Sequence, residues 1–209
     1  PFRGLVIDYV GGLNDMERRL VRTISPPDQS YEEDPVRMIR AVRAAARLGF
    51  AIEASTHEAI LRHRESVLKS PRARLLEELL ILLKYGSSEK SLRLLWQLGL
   101  MEHLLPLHHA YLLRHNSLPL EPPKPDVLFD LMAMLDLEGS PAEPPVMFAL
   151  MLFPFILEHL SIEPRTFWQT RMTGAAITTM DSIVNEFSKS VDVSKRFRAR
   201  TLEILSIQP

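Results

Sequence analysis

The chain has 209 residues, a formal net charge of −1 and 46% hydrophobic residues, which is enough apolar side chain to fill the core of one large or two small domains. It contains no cysteine, so disulfides and thiolate zinc sites are excluded, and its near-neutral charge argues against a protein that coats nucleic acid by bulk charge. Residues 1–100 nevertheless carry 16 of the 25 Lys and Arg residues but 13 of the 26 acidic ones, so the first half is the expected polyanion-binding face.

The first residues predict a turn and a short strand over residues 2–9, with no partner strand close by in the sequence. A lone strand cannot satisfy its backbone hydrogen bonds, so we expect its sheet to lie upstream of this chain. The chain is therefore expected to be part of a longer protein.

The segment YEEDPVRMIRAVR, residues 31–43, contains an unusual helix start. Asp34 followed by Pro35 is typical of an N-cap and a first helical residue, because proline has no N–H to leave unpaired there. Arg37 does not fit this start. The third helical position favours Glu or Gln, and a cation there meets the positive end of the helix dipole, at a cost of roughly 0.3–1 kcal/mol.

A carboxylate and a guanidinium held side by side can read the Watson–Crick edge of a nucleobase. Adenine and cytosine each present an exocyclic amine beside an unprotonated ring nitrogen, whereas guanine and uracil present a carbonyl oxygen in place of the amine. The residues leave two interpretations open. Asp34 and Arg37 either select A and C against G and U, or form a capped helix with a surface ion pair.

Helical periodicity dominates the rest of the chain. In the helix that contains Arg37, one face carries Ile39, Val42 and Ala46 and another carries Arg40, Arg43 and Arg47. Further helices are predicted over residues 55–68, 72–84, 88–98, 100–113, 126–137, 145–160, 165–189 and 193–206, with loops at 115–125 and 139–145. The apolar run 146–157 is shorter than the roughly 20 residues that span a bilayer, which predicts a buried helix.

Several stretches resemble, in order and spacing, the bacterial-type poly(A) polymerase and CCA-adding tRNA nucleotidyltransferase family of class II nucleotidyltransferases. The matching stretches are DYVGGLND at 8–15, RTI at 22–24, EDPVRMIRA at 33–41, LGF at 48–50 and SPRARLLEEL at 70–79. The resemblance is strong over residues 8–106 and faint from there to the end.

This resemblance implies an all-α fold, an irregular multi-helix neck and body, with a short N-terminal strand and turn left from an upstream α/β head. Residues 1–25 would end the nucleotidyltransferase head, residues 26–106 would form the neck that reads the nucleotide and binds RNA, and residues 107–209 would form a helical body or tail. The carboxylates that bind Mg²⁺ would lie upstream. We therefore expect Mg²⁺ and ATP to be bound mainly by the head, no catalytic residue in this span, and no activity from this part alone.

The resemblance also assigns roles to residues of the neck. Asp34 and Arg37 would contact the base and Glu33 would orient Arg37, while Arg74 and Glu78 would buttress the site from the neighbouring helix.

Two clusters of cations are candidates for phosphate contacts. On the helix of Arg37, Arg40 is expected to hold the nucleotide, and Arg43 and Arg47 the RNA. Late in the chain stand Lys195, Arg196, Arg198 and Arg200. This second cluster is equally well explained as an ordinary solvated helix face.

Two groups of histidines could be considered as metal sites from their proximity in the sequence. His57 and His63 are six residues apart, whereas two zinc ligands on one helical face need a spacing of four. His108 and His109 are adjacent and would diverge on a helix. We expect all four to be surface or cap residues.

The Asp34 and Arg37 pair accepts both adenine and cytosine, so poly(A) addition and CCA addition both stay open. Residues 8–12 and 33–38 are more similar to the poly(A) polymerases, which predicts transfer of AMP from ATP to the 3′ end of mRNA or tRNA. The expected location is the bacterial cytoplasm or an organelle, with no membrane partner. Two other classes remain, a helical RNA-binding or adaptor protein that never had a head, and a purely structural helical domain.

Overall fold

The computed structural model describes residues 7–115, 117–123, 125–137, 142–169 and 172–207. These residues are mostly helical, which confirms the all-α prediction. The helices are α1 Gly12–Glu17, α2 Pro27–Glu33, α3 Val36–Leu48, α4 Ala54–His63, α5 Arg72–Leu83, α6 Ser88–Gln97, α7 Met101–Leu104, α8 Pro106–Arg114, α9 Val127–Leu137, α10 Pro144–Leu160, α11 Gly174–Val191 and α12 Lys195–Ser206. Two 3₁₀ helices cover Arg64–Lys69 and Phe167–Gln169.

A two-stranded parallel sheet, which the sequence analysis did not predict, flanks α2 and α3. Strand β1 covers Leu20–Val21 and strand β2 covers Ala51–Ile52, with Leu20 opposite Ala51. The sheet joins the segment before α2 to the segment after α3. The strand predicted over residues 2–9 falls largely outside the described residues.

Three predicted helices differ from the observed ones. The helix predicted over 100–113 is interrupted at Leu105, because Pro106 lacks the N–H that a continuous helix would use and instead begins α8. The helix predicted over 165–189 begins only at Gly174, where the Thr173 hydroxyl accepts from the Ala176 N–H at 3.3 Å. The helix predicted over 55–68 changes to a 3₁₀ helix after His63.

The buried core extends through both halves of the chain. In the first half, α3 packs against α5 and α6, and the predicted apolar face of α3 is buried at Ile39, Val42 and Ala46. In the second half, α10 packs against α9, α11 and α12, while α6 and α9 join the two halves. The core therefore places the charged face of α3 at the surface.

Helix α10 confirms the prediction of a buried helix over the apolar run. Residues 147–149, 151–152 and 154–157 are buried, including Pro154 inside the helix. Within the described part of the chain, no helix is long and apolar enough to cross a bilayer.

Candidate functional site

The candidate site lies at the turn between α2 and α3, where Asp34 ends α2 and Pro35 immediately precedes α3. Its extended backbone, with φ −148° and ψ 94°, stops α2. One carboxylate oxygen, Oδ1, accepts from the Val36 N–H at 3.2 Å. Helix α3 thus begins at Val36, one residue later than predicted, with Pro35 and not Asp34 at its N-cap position. The Asp34 carboxylate still accepts the first N–H of the helix.

The Arg37 guanidinium lies beside this carboxylate and is held by α2. Its Nη1 donates to Glu33 Oε2 at 3.0 Å, to the Ser30 carbonyl at 3.3 Å and to the Ser30 hydroxyl at 3.2 Å. Its Nε lies 4.0 Å from Asp34 Oδ2. The contacts from Glu33 and Ser30 offset the unfavourable position of a cation at the start of α3.

Glu33 is itself fixed from the preceding turn of α2. The Gln29 amide donates to Glu33 Oε1 at 2.9 Å, and this bond, followed by the one from Arg37, lowers the pKa of Glu33. Glu33 is therefore ionised at neutral pH and can hold Arg37 in one orientation. Ser30, seven residues before Arg37, was missed by the sequence analysis because that spacing carries no contact signal, whereas the four-residue spacing of Gln29 and Glu33 could have identified Gln29.

Arg74 at the start of α5 supports Asp34 from the neighbouring helix. Its Nη2 donates to Asp34 Oδ2 at 2.8 Å. The Asp34 side chain is only 18% exposed and that of Arg37 is 40% exposed. Val36 and Arg74 contact the Asp34 carboxylate from the protein side, and the exposed parts of Asp34 and Arg37 remain accessible to a ligand. Each carboxylate oxygen keeps a lone pair for a ligand.

Glu78 contacts α3 one turn further along. It is 6% exposed, and its two oxygens accept from Arg40 Nε at 2.7 Å and from Arg43 Nη1 at 2.6 Å. Glu78 raises the pKa of Arg40, and Asp34 and Glu77 add to this effect. The proposed phosphate roles of Arg40 and Arg43 stay predictions, since both cations already share one buried carboxylate.

The charges around the turn form one linked cluster. Its members are the carboxylates of Glu33, Asp34 and Glu78 and the guanidinium groups of Arg37, Arg40, Arg43 and Arg74. Glu77 also acts on Arg40, so the acidic and basic groups balance, and a ligand would be bound by individual groups and not by a net positive charge.

The remaining predicted RNA contacts lie in two other places. Arg47, in the last turn of α3, lies over the Tyr85 ring with 4.9 Å between Cζ and the ring centroid. Lys195 and Arg196 are exposed at the start of α12, while Arg198 donates to the Asn185 side chain. Arg200 pairs with Glu203 at 2.7 Å. In the late cluster, Lys195 and Arg196 are thus the more accessible cations.

The first matching stretch forms a loop at residues 8–11 and the start of α1. The Asp8 carboxylate accepts from the N–H groups of Val10, Gly12 and Leu13 at 2.8–3.1 Å, which lowers the pKa of Asp8. Gly11 has φ +77°, and a Cβ there would lie 3.1 Å from Arg22 Nη2. The left-handed backbone conformation therefore favours glycine here, and a Cβ would also require the Arg22 side chain to shift slightly.

The prediction that His108 is a surface or cap residue is wrong. His108 is fully buried, with ring centroids 4.9 Å from Phe155 and 5.6 Å from Phe187, and neither ring nitrogen meets the geometry of a hydrogen bond within the described structure. Burial lowers the pKa of His108 to about 3. By contrast, His63 Nε2 lies 2.8 Å from Asp28 Oδ1 and links α4 to α2.

Comparison with known proteins places this arrangement in a class. Residues 49–112 match the family described as "Probable RNA and SrmB- binding site of polymerase A". The fold is similar to that of a CCA-adding enzyme solved with ATP, with TM-score 0.53 and 17% identity over 97% of this chain and 50% of that chain. A CCA-adding enzyme from Thermotoga maritima complexed with tRNA gives TM-score 0.52 and 17% identity over 97% of this chain and 51% of that chain. The fold is thus that of the helical part of CCA-adding enzymes.

Sequence similarity identifies relatives more specifically. The chain is 34% identical to poly(A) polymerase I of Escherichia coli over 205 residues, which is 97% of this chain and 43% of that protein. It is 37% identical to the CCA-adding enzyme of Bacillus velezensis over 101 residues, 48% of this chain and 26% of that enzyme. The chain is homologous to the bacterial poly(A) polymerases and CCA-adding enzymes, and it spans less than half the length of these relatives.

Proposed function

We propose that this chain is the nucleotide-reading and RNA-binding part of a poly(A) polymerase that adds AMP from ATP to RNA 3′ ends. The observation that carries the proposal is the similarity to poly(A) polymerase I of E. coli across 97% of the chain. The similarity to the CCA-adding enzyme of B. velezensis covers 48% of the chain, which makes CCA addition the second candidate.

The geometry of the α2–α3 turn supports base selection. An adenine amine would donate to the Asp34 carboxylate, and the adjacent ring nitrogen would accept from Arg37. Glu33 and Ser30 hold Arg37 Nη1, and Arg74 holds Asp34 Oδ2, so both reading groups are oriented before the nucleotide arrives. Guanine and uracil would place a carbonyl oxygen against the Asp34 carboxylate, which leaves two acceptors facing each other.

In the part of the chain that the structure describes, no group of three or more acidic, histidine or cysteine side chains gathers in one place. The acidic groups at the turn are occupied by arginines, and Asp8 is occupied by backbone N–H groups. We propose that Mg²⁺ and the triphosphate are held by another part of the parent protein, in the bacterial cytoplasm, and that this part alone is inactive.

The proposal is tested by Arg37→Ala in the full-length parent protein, with primer extension on oligo(A) and on tRNA lacking its CCA end. Loss of one charge-assisted hydrogen bond predicts that the preference for ATP over GTP falls about tenfold to hundredfold. Arg62→Ala is the matched control, since Arg62 ion-pairs with Asp28 at 2.9 Å on the neighbouring surface and should leave nucleotide preference unchanged.

Each outcome of the extension assay identifies one candidate. Long ATP-dependent tails on oligo(A) support poly(A) polymerase, and addition of C, C and A that stops, on tRNA alone, supports the CCA-adding enzyme. Absence of extension with either primer supports the adaptor class. An unchanged ATP preference in Arg37→Ala would contradict base reading at this turn.

A further inference from the structure

An exposed aromatic ring flanked by two cations lies where α3 and α5 end. Tyr85 is 48% exposed. The Arg47 guanidinium lies 4.9 Å from its ring centroid, and Lys84 Nζ lies 5.7 Å from the same centroid. We call these three residues the Tyr85 cluster.

The cations of the Tyr85 cluster differ from the other arginines of α3. Arg40 and Arg43 are held by Glu78 at 2.7 and 2.6 Å. Within the described residues, no carboxylate lies within ion-pair distance of Arg47 or Lys84. In the part of the chain that the structure describes, these two positive charges share one aromatic ring and form no ion pair, which favours binding of an anion at this place.

The Tyr85 cluster is continuous with the nucleotide-reading turn. Helices α3 and α5 run side by side, with contacts first between Asp34 and Arg74 and then between Arg40 and Glu78. Arg43 also contacts Glu78, and the pair of Arg47 and Tyr85 lies further in the same direction, just past the end of α5. Ten residues separate Arg37 from Arg47, a rise of roughly 15 Å at 1.5 Å per residue, which equals on the order of four stacked nucleotides.

We propose that the Tyr85 cluster is a binding site for single-stranded RNA a few nucleotides from the 3′ end. A base stacks on the Tyr85 ring or on the Arg47 guanidinium, and Lys84 contacts an adjacent phosphate. The site rests on the proposed function, because it positions the RNA whose 3′ end receives the nucleotide selected at Asp34 and Arg37.

A purely structural role would account for only part of this arrangement. A cation–π contact joins the ends of two helices, and Arg47 is favourably placed near the negative end of the α3 dipole. Neither effect requires a second cation at the same ring or a ring that remains half exposed. RNA binding accounts for the cations and the exposure together.

The test measures binding of the 209-residue chain to fluorescein-labelled oligo(A) by fluorescence anisotropy. Tyr85→Ala should weaken binding about fivefold to hundredfold, the usual range for loss of one base–aromatic stack, while leaving the melting temperature within a degree or two of wild type. Tyr85→Phe should retain wild-type affinity because stacking needs the ring and not the hydroxyl. Tyr9→Ala is the control, since Tyr9 is 87% exposed and carries no cation over its ring among the described contacts.

Three further measurements distinguish the site from general electrostatic binding. Lys84→Ala should lower the dependence of log affinity on log salt by about one unit, because Lys84 is the proposed phosphate contact. Duplex RNA should bind Tyr85→Ala and wild type equally, because paired bases are already stacked. Photo-cross-linking of wild type to bromouridine-substituted oligo(A), followed by mass spectrometry, should label the peptide that contains Tyr85.

The outcomes distinguish this site from the proposed function. Wild-type affinity in Tyr85→Ala, together with no cross-link at Tyr85, would overturn the site while leaving the base-reading assay with Arg37→Ala unaffected. Absence of oligo(A) binding by the wild-type chain would overturn both the site and the RNA-binding part of the proposed function. If Tyr85→Ala fails to fold, the photo-cross-linking of the wild-type chain alone determines whether the site is supported or overturned.

Discussion

The predicted neck, residues 26–106, and the predicted body, residues 107–209, differ in the interactions that fix their side chains. At the surface of the neck, buried or half-buried carboxylates such as Glu78 and Asp34 each hold cations from another helix. In the body, Phe148, Phe155 and Phe187 make edge contacts at 4.9–5.6 Å around His108. Ion pairs therefore position a few functional groups of the neck, while apolar burial, which both regions share, is expected to contribute most of the stability.

The largest expected effect lies in the body. Phe155→Ala removes a fully buried ring that contacts His108 and Tyr111, and should lower the free energy of unfolding by about 3–5 kcal/mol. Urea denaturation of the 209-residue chain measures this loss. The control is Leu137→Ala, an exposed position in α9, and equal stability of the two variants would contradict an apolar core centred on α10.

A smaller effect is expected for the central ion pair of the neck. Glu78→Ala leaves Arg40 and Arg43 without their carboxylate, but both cations still reach water, so the loss of unfolding free energy should be about 2 kcal/mol, below the full cost of an isolated buried charge. Glu77→Ala, which changes the exposed neighbour, should cost far less. A loss as large as that of Phe155→Ala would mean that charges dominate the stability of the neck.

His108 gives a further test of the comparison, because it is an ionisable group buried among apolar side chains of the body. The rings of Phe155 and Phe187 and the Met151 backbone surround it. Its pKa in the folded chain is lowered to about 3 from 6.5. The unfolded chain therefore binds a proton that the folded chain does not, so this contribution to stability is complete above pH 6.5 and falls as the pH falls.

The expected size of this effect is about 2 kcal/mol at pH 5 relative to pH 7. His108→Leu, which cannot bind the proton, should remove that part of the pH dependence when unfolding is measured at both pH values. The remaining dependence, from carboxylates, is shared by both proteins. An unchanged difference between pH 7 and pH 5 in His108→Leu would contradict a neutral buried histidine.

Local sequence pattern determined the features that depend on neighbours within one helical turn. The apolar face of α3 was predicted from a spacing of three and four residues, and burial of Ile39, Val42 and Ala46 confirms it. The same spacing brings Glu33 within reach of Arg37, a contact of 3.0 Å in the structure. Such contacts follow from helix geometry alone, because residues four apart face the same side.

Tertiary structure decided the contacts between residues far apart in the chain. Arg74 and Glu78 lie four residues apart on α5, yet Arg74 binds Asp34 and Glu78 binds Arg40 and Arg43, at separations of 35–40 residues. The burial of His108 and the pairing of β1 with β2 are likewise set by how helices and strands pack. The sequence by itself determined a mostly helical chain with a turn at residues 33–37 that carries acidic and basic side chains. Only the packing of α3 against α5 decided which charged side chains support that turn and which do not. An ion pair between two helices depends on the relative position of the helices and not on residue spacing within either one.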